Sequence, residues 1–203
     1  MIDLIKCPPK FRLGRIVATP GAIALGINFA PYINRHVRGD WGDVDIWKGG
    51  RVPPNPIPAG TTVTLNHEVT MTSGLTYENK GRIEIPVEAG MLIINSNLVN
   101  EGDIFAGPFQ RLTQIKSYIK LNTGAKLINS GTVKAFSELS GPTGRVSLRL
   151  DGIVENLSGG LIESQDIFGM SGGTFSNAEG GTLRSSTETG TFQQFTLSGG
   201  TSF

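Results

Sequence analysis

Gly74-Leu75-Thr76-Tyr77-Glu78-Asn79-Lys80-Gly81-Arg82-Ile83 returns fifty residues later as Gly124-Ala125-Lys126-Leu127-Ile128-Asn129-Ser130-Gly131-Thr132-Val133. Looser copies are Leu98-Val99-Asn100-Glu101-Gly102-Asp103-Ile104, Ile153-Val154-Glu155-Asn156 through Gly160-Leu161-Ile162, and Thr174-Phe175-Ser176-Asn177 through Gly181-Thr182-Leu183. Two residues before each Asn stands Tyr77, Leu98, Leu127, Val154 or Phe175. Two residues after each Gly stands Ile83, Ile104, Val133, Ile162 or Leu183. Every one of these positions is apolar, so the repeat marks buried residues and not only polar punctuation. The asparagines stand 21, 29, 27 and 21 residues apart. Repeats of that length, built from short alternating runs without a helical period, predict a parallel β-solenoid of five to six coils over residues 59–203.

In that architecture Asn79, Asn100, Asn129, Asn156 and Asn177 are corner residues, with Gly81, Gly102, Gly131, Gly160 and Gly181 closing the same corners. The short polar Asn is expected to take the left-handed conformation at a tight bend and to stack between coils as an Asn ladder. Glycine is expected there for its unusual backbone angles. A β-sandwich also suits glycine-rich all-β sequence, but the recurring Asn-to-Gly corner favours the solenoid. The uneven spacing places loops around Ala106–Lys120 and Ser137–Thr143. Residues 59–197 resemble, in architecture only, the right-handed β-helix proteins of adhesin stalks, autotransporter passengers and phage tail fibres or spikes.

Composition agrees with a structured, weakly charged chain. Of 203 residues, 18 are Lys or Arg and 17 Asp or Glu, a net charge of +1, and charged residues are 17% of the total. No single-sign field is available to recruit nucleic acid. A single cysteine, Cys7, excludes an intramolecular disulfide and a multi-cysteine zinc site. The 28 glycines lack a collagen period. No uninterrupted run of 18 apolar residues exists, so no membrane span is expected. Lys10–Arg15 followed by Ile16–Ala30 has the order of a signal peptide, but Pro20, Gly21, Gly26 and Asn28 interrupt its apolar part. Without a convincing leader, the expected location is a virion, the cytoplasm, or outside the cell by a non-classical route.

Three regions follow: a small anchoring or capping domain over 1–47, a Pro/Gly-rich connector over 48–58, and the solenoid over 59–203. A helix broken near Pro31 is predicted over Pro20–Val37. Pro53, Pro54, Pro56 and Pro58 make the connector stiff and extended. Residues 13–45 carry a G-x-I-V-A-T-P-G-A opening at Gly14–Ala22 and then Arg35-His36 with Gly39-Asp40-Trp41-Gly42. This segment resembles a family of small uncharacterised bacterial, plasmid- or phage-associated proteins. Those proteins continue with a polar helix and a small sheet, whereas the proline-rich connector begins here. The resemblance implies a bacterial or mobile-element source and no chemistry.

Candidate chemistry is sparse. His36, Asp40, Asp43 and Asp45 form the densest polar cluster, but their spacing matches no metal motif, and GDWGD reads as a turn beside a buried Trp41. The residues after the corner glycines are Arg82, Asp103, Thr132, Leu161 and Thr182, which is no acidic ladder. Glycosidic cleavage needs two carboxylates, and only Asp151 with Glu155, or Glu163 with Asp166, offer such a pair. His67 is read as an exposed strand residue. Lys116, Lys120, Lys126 and Lys134 are close enough in sequence to share one face. No catalytic residue, cofactor or metal ligand is assigned.

The sequence is therefore read as a non-enzymatic structural protein that associates with itself into a fibre, filament or closed oligomer. Phe192, Phe195 and Phe203 are the candidate self-association residues, in a last degraded coil with Gln194 at the Asn position. The alternative is a glycan-binding adhesin or receptor-binding module using the two loops and their aromatics, Phe109, Tyr118 and Phe136. A polysaccharide lyase or hydrolase ranks below it. Expected partners are further copies of the chain, and beyond them glycans or a larger assembly.

Overall fold

The computed structural model describes residues 32–35, 37–87, 89–107, 118–135, 146–164, 167–185 and 195–198. The chain forms two compact units, Met1–Ala30 and Pro31–Phe203, and all described residues belong to the second. Its strands are β1 (Tyr32–Ile33), β2 (Gly39–Asp40), β3 (Thr62–Thr64), β4 (Glu68–Met71), β5 (Thr76–Asn79), β6 (Arg82–Ile85) and β7 (Met91–Ile94). They continue as β8 (Asn97–Asn100), β9 (Asp103–Ala106), β10 (Ile119–Leu121), β11 (Lys126–Asn129), β12 (Thr132–Ala135) and β13 (Val146–Leu150). The last are β14 (Ile153–Asn156), β15 (Leu161–Ser164), β16 (Ile167–Ser171), β17 (Thr174–Asn177), β18 (Thr182–Ser185) and β19 (Phe195–Ser198).

These strands make an all-β fold of parallel sheets. The first sheet runs β1-β3-β6-β9-β12-β15-β18, the second β2-β4-β7-β10-β13-β16-β19, and the third β5-β8-β11-β14-β17. From β3 onward each strand pairs in parallel with the strand three places later, so consecutive strands never pair. Only Lys80 and Gly81 separate β5 from β6, a length that commonly closes an antiparallel hairpin. Here those two strands belong to different sheets.

Period-two alternation puts one face of each strand inside, as in β6, where Ile83 and Ile85 are buried between exposed Arg82 and half-buried Glu84. In-register pairing then stacks like upon like. Tyr77, Leu98, Leu127, Val154 and Phe175 form one buried column in the third sheet. Val63, Ile83, Ile104, Val133 and Ile162 form one in the first, with Leu183 packed against the core. The second sheet contributes Val69-Leu92-Ile119-Leu148 and Met71-Ile94-Leu121-Leu150, all fully buried. Each such side chain contributes roughly 1.5–3 kcal/mol by leaving water, so these columns supply the main stabilising term.

The corners depart from expectation in a physically clear way. Among the described residues no non-glycine residue has positive φ, so the corner asparagines are not left-handed. They end their strands in register with their amides turned along the stack, buried at Asn79, Asn100, Asn129 and Asn156 and exposed at Asn177. The corner glycines are needed for contact and not for φ. A Cβ on Gly102 would lie 2.1 Å from the Gly81 carbonyl oxygen, and one on Gly131 2.1 Å from that of Gly102. Left-handed glycines sit beside them in the two longer Asn corners, Gly159 and Gly180 (both φ 81°), and at the corner entering β5 and β11, where Gly74 and Gly124 have φ of 89° and 86°.

Other expectations are also corrected. Tyr32–Ile33, the end of the expected helix, is strand β1, because the Tyr-Ile pair finds an open edge at β3; residues 20–31 lie outside the described residues. The sheets therefore begin before the boundary set at residue 47. Phe195–Ser198 pairs with Phe168–Ser171 in the second sheet; Gln194, expected at the Asn position of the last coil, lies outside the described residues. His67 lies in the turn between β3 and β4, with its N–H on Asn34 Oδ1 at 3.1 Å. The loop expected over 106–120 is shorter, since Ala106 closes β9 and Ile119–Lys120 belong to β10.

Candidate assembly surface

The five corner asparagines form one continuous ladder. Asn79 Nδ2 donates to Asn100 Oδ1 at 2.7 Å, Asn100 to Asn129 at 2.7 Å, Asn129 to Asn156 at 2.8 Å and Asn156 to Asn177 at 2.7 Å. The same nitrogens also reach backbone carbonyls: Asn129 Nδ2 lies 3.1 Å from Gly131 O and 3.3 Å from Leu161 O. The amides of Asn79, Asn100, Asn129 and Asn156 thus tie their own corners to the next repeat. The ladder has a direction, all donors pointing toward the C-terminal repeats, and it ends at exposed Asn177, whose Nδ2 donates to Gly181 O at 2.7 Å. A second, shorter stack went unnoticed in the sequence: Asn122 Nδ2 donates to Asn95 Oδ1 at 2.5 Å, just after the strands of the second sheet. The Ile94-Asn95 and Leu121-Asn122 pairs, 27 residues apart, were its available signal.

At the N-terminal side, residues 32–57 cover the first strand of all three sheets. In the first sheet β1 pairs with β3, and beyond it an antiparallel bridge joins Asn34 to Trp47. In the second, β2 pairs with β4 and the Trp41 N–H donates to Thr70 O at 2.8 Å. In the third, the edge of β5 is met by Asn55 and Ile57. The GDWG segment serves this layer. Gly39 and Asp40 form β2, Gly39 lies against Ile46, and Trp41 is buried edge-on to Trp47 (5.3 Å between centroids) and Tyr77 (6.0 Å). Trp47 Nε1 donates to Trp41 O at 2.8 Å, and Asp43 Oδ1 accepts from the Asp45 N–H at 2.9 Å to cap a short 3-10 turn over Val44–Ile46. Arg35 and Gly42 are exposed, with the Arg35 N–H on Ile46 O. His36 lies outside the described residues.

At the other side β17, β18 and β19 are the last strands of their sheets, and among the described residues no segment crosses them as 32–57 crosses the first. Phe195 is the first residue of β19, in register with Phe168; Phe192 and Phe203 lie outside the described residues.

Three of the candidate carboxylates are engaged in ion pairs. Asp151 Oδ2 meets Arg149 Nε at 2.6 Å, and Glu155 meets Lys126 Nζ at 2.7 Å. Glu163, buried although it faces outward in β15, lies between Lys134 (3.3 Å) and Arg184 (2.8 Å). Glu163 raises the Arg184 guanidinium above its ordinary pKa, by its hydrogen bond first and its charge second, and exposure leaves little desolvation to oppose this. Asp166 lies outside the described residues. The lysines do not share a face: Lys120 is in the second sheet, Lys126 in the third and Lys134 in the first, while Lys116 is outside the described residues. Tyr118 is buried, which removes it as a glycan-stacking platform; Phe109 and Phe136 are outside the described residues. Among the described residues no helix is long and apolar enough to cross a membrane.

No protein-family model matches the chain, and neither a curated protein nor a solved structure matches it.

Proposed function

We propose that residues 59–197 wind as a β-solenoid and that the protein is a non-enzymatic structural element associating with further copies of itself through the C-terminal ends of its sheets. The winding is supported by the pairing, from β3 onward, of each strand with the one three places later and by the Asn ladder. The observation that carries the association is the asymmetry of the two ends. Residues 32–57 occupy the first edge of each sheet, whereas β17, β18 and β19 end theirs with nothing comparable among the described residues. Strand edges of this kind pair with other chains unless they are blunted. Of the carboxylates a polysaccharide enzyme would need, Asp151, Glu155 and Glu163 are each already paired with a Lys or Arg, which favours the structural role.

Charges on edge strands discourage pairing, and Ser176 and Thr182 are exposed positions in β17 and β18. The S176K/T182K double variant is expected to keep its β-type circular dichroism while its association constant falls at least about tenfold in sedimentation equilibrium, as 1.4 kcal/mol of lost contact would give. Association at wild-type strength would show that these strands are not the contact.

A further inference from the structure

We propose that the proline-rich segment 53–58 is an edge stop that leaves this chain only one end able to join another copy, so that its assemblies are finite. The inference rests on the self-association proposed above and adds where growth ends. Four backbone groups along the β5 edge that faces away from β8 are taken. Asn55 Nδ2 donates to Thr76 O at 2.7 Å and Asn55 Oδ1 accepts from the Glu78 N–H at 2.9 Å, so a side-chain amide stands in for a peptide group. The Ile57 N–H donates to Glu78 O at 2.8 Å and Ile57 O accepts from the Lys80 N–H at 2.9 Å. Ile57 is buried and anchors the segment, while Pro54, Pro56 and Pro58 are exposed around it. Proline carries no N–H, so the segment satisfies the edge it covers without offering a new row of donors.

The first sheet is stopped differently. Arg35 N–H donates to Ile46 O at 2.6 Å and Lys48 N–H to Ile33 O at 2.8 Å, so its parallel ladder ends in an antiparallel turn of the same chain. A head-to-tail contact needs two unlike free surfaces and, where its rotation does not close a ring, propagates without limit. A chain with one free end is restricted to like-with-like contacts, which close.

The test uses the full-length chain under reducing conditions, comparing wild type with N55A/I57D, which lifts the segment, and with P54T/P58T, which keeps its anchors but restores N–H groups. Amide exchange at Glu78 and Lys80, sedimentation velocity and electron microscopy are the readouts. N55A/I57D is expected to exchange those amides roughly tenfold faster or more and to replace the discrete wild-type species by long polymers. P54T/P58T is expected to lengthen assemblies with the amides still protected, and it decides the matter if the first variant does not fold. Discrete species from the folded variants, or Glu78 and Lys80 amides unaffected by N55A/I57D, would overturn the edge stop. Fibrous wild type would overturn it too while leaving self-association standing. Monomeric wild type with polymerising variants would sink the self-association proposal and leave the stop intact.

Discussion

Gly102→Ala is expected to be among the most damaging single-methyl additions this protein can receive, lowering stability by about 3 kcal/mol, the upper range for overpacking. The new Cβ would sit 2.1 Å from the Gly81 carbonyl oxygen and 2.8 Å from the Lys80 carbonyl carbon. Both are backbone atoms of the preceding repeat, so no rotamer change relieves the clash. The repeats would have to part where strand pairing holds them about 4.8 Å apart. Gly124 is the control, because it has φ of 86° and open space where a Cβ would go. Gly124→Ala is expected to cost only the left-handed penalty, about 1–2 kcal/mol. Asparagine separates the two causes further, since it visits the left-handed region more easily than alanine. Gly124→Asn should therefore recover part of the loss, while Gly102→Asn should be as harmful as Gly102→Ala. Urea midpoints of the four variants give the ordering, and equal losses at both glycines would contradict the distinction between contact and conformation.

Asn129→Ala is expected to cost about 2–4 kcal/mol, because it opens the ladder at its middle and leaves buried polar groups without partners. Asn156 Oδ1 loses its donor, Asn100 Nδ2 loses an acceptor, and the Gly131 and Leu161 carbonyls lose the donor they share. Asn129→Asp is the sharper variant, as it keeps size and shape but replaces the donating nitrogen by an oxygen facing Asn156 Oδ1. It should be at least as unstable as the alanine variant at neutral pH. Asn177→Ala, at the exposed end of the stack, should cost under about 1 kcal/mol. An unfolding midpoint for Asn129→Asp equal to wild type would mean that the ladder adds nothing to stability.

Much of the parallel architecture was legible because inward positions announce themselves. The apolar residues flanking each Asn and Gly stand in one register across five repeats, and that register needed only the period of the sequence. Why asparagine and glycine recur was less legible. Both residues suit left-handed corners, and a sequence cannot separate that use from a side-chain ladder or a backbone contact. The second sheet escaped the repeat search because its strands, such as Met91–Ile94 and Ile119–Leu121, carry no Asn-to-Gly marker. The pairing of residues at both ends of 32–57 was hidden for a related reason. Tyr32–Ile33 and Asn55–Ile57 have no local pattern of their own and take their conformation from sheet edges supplied by later sequence. The lysines are close along the chain, whereas successive strands belong to different sheets, which carries sequence neighbours apart.

The most direct test of the central proposal is sedimentation equilibrium of the full-length chain over a wide concentration series, under reducing conditions so that Cys7 cannot link copies. A discrete oligomer that dissociates on dilution is the expected result. A monomer at every concentration would contradict the proposal.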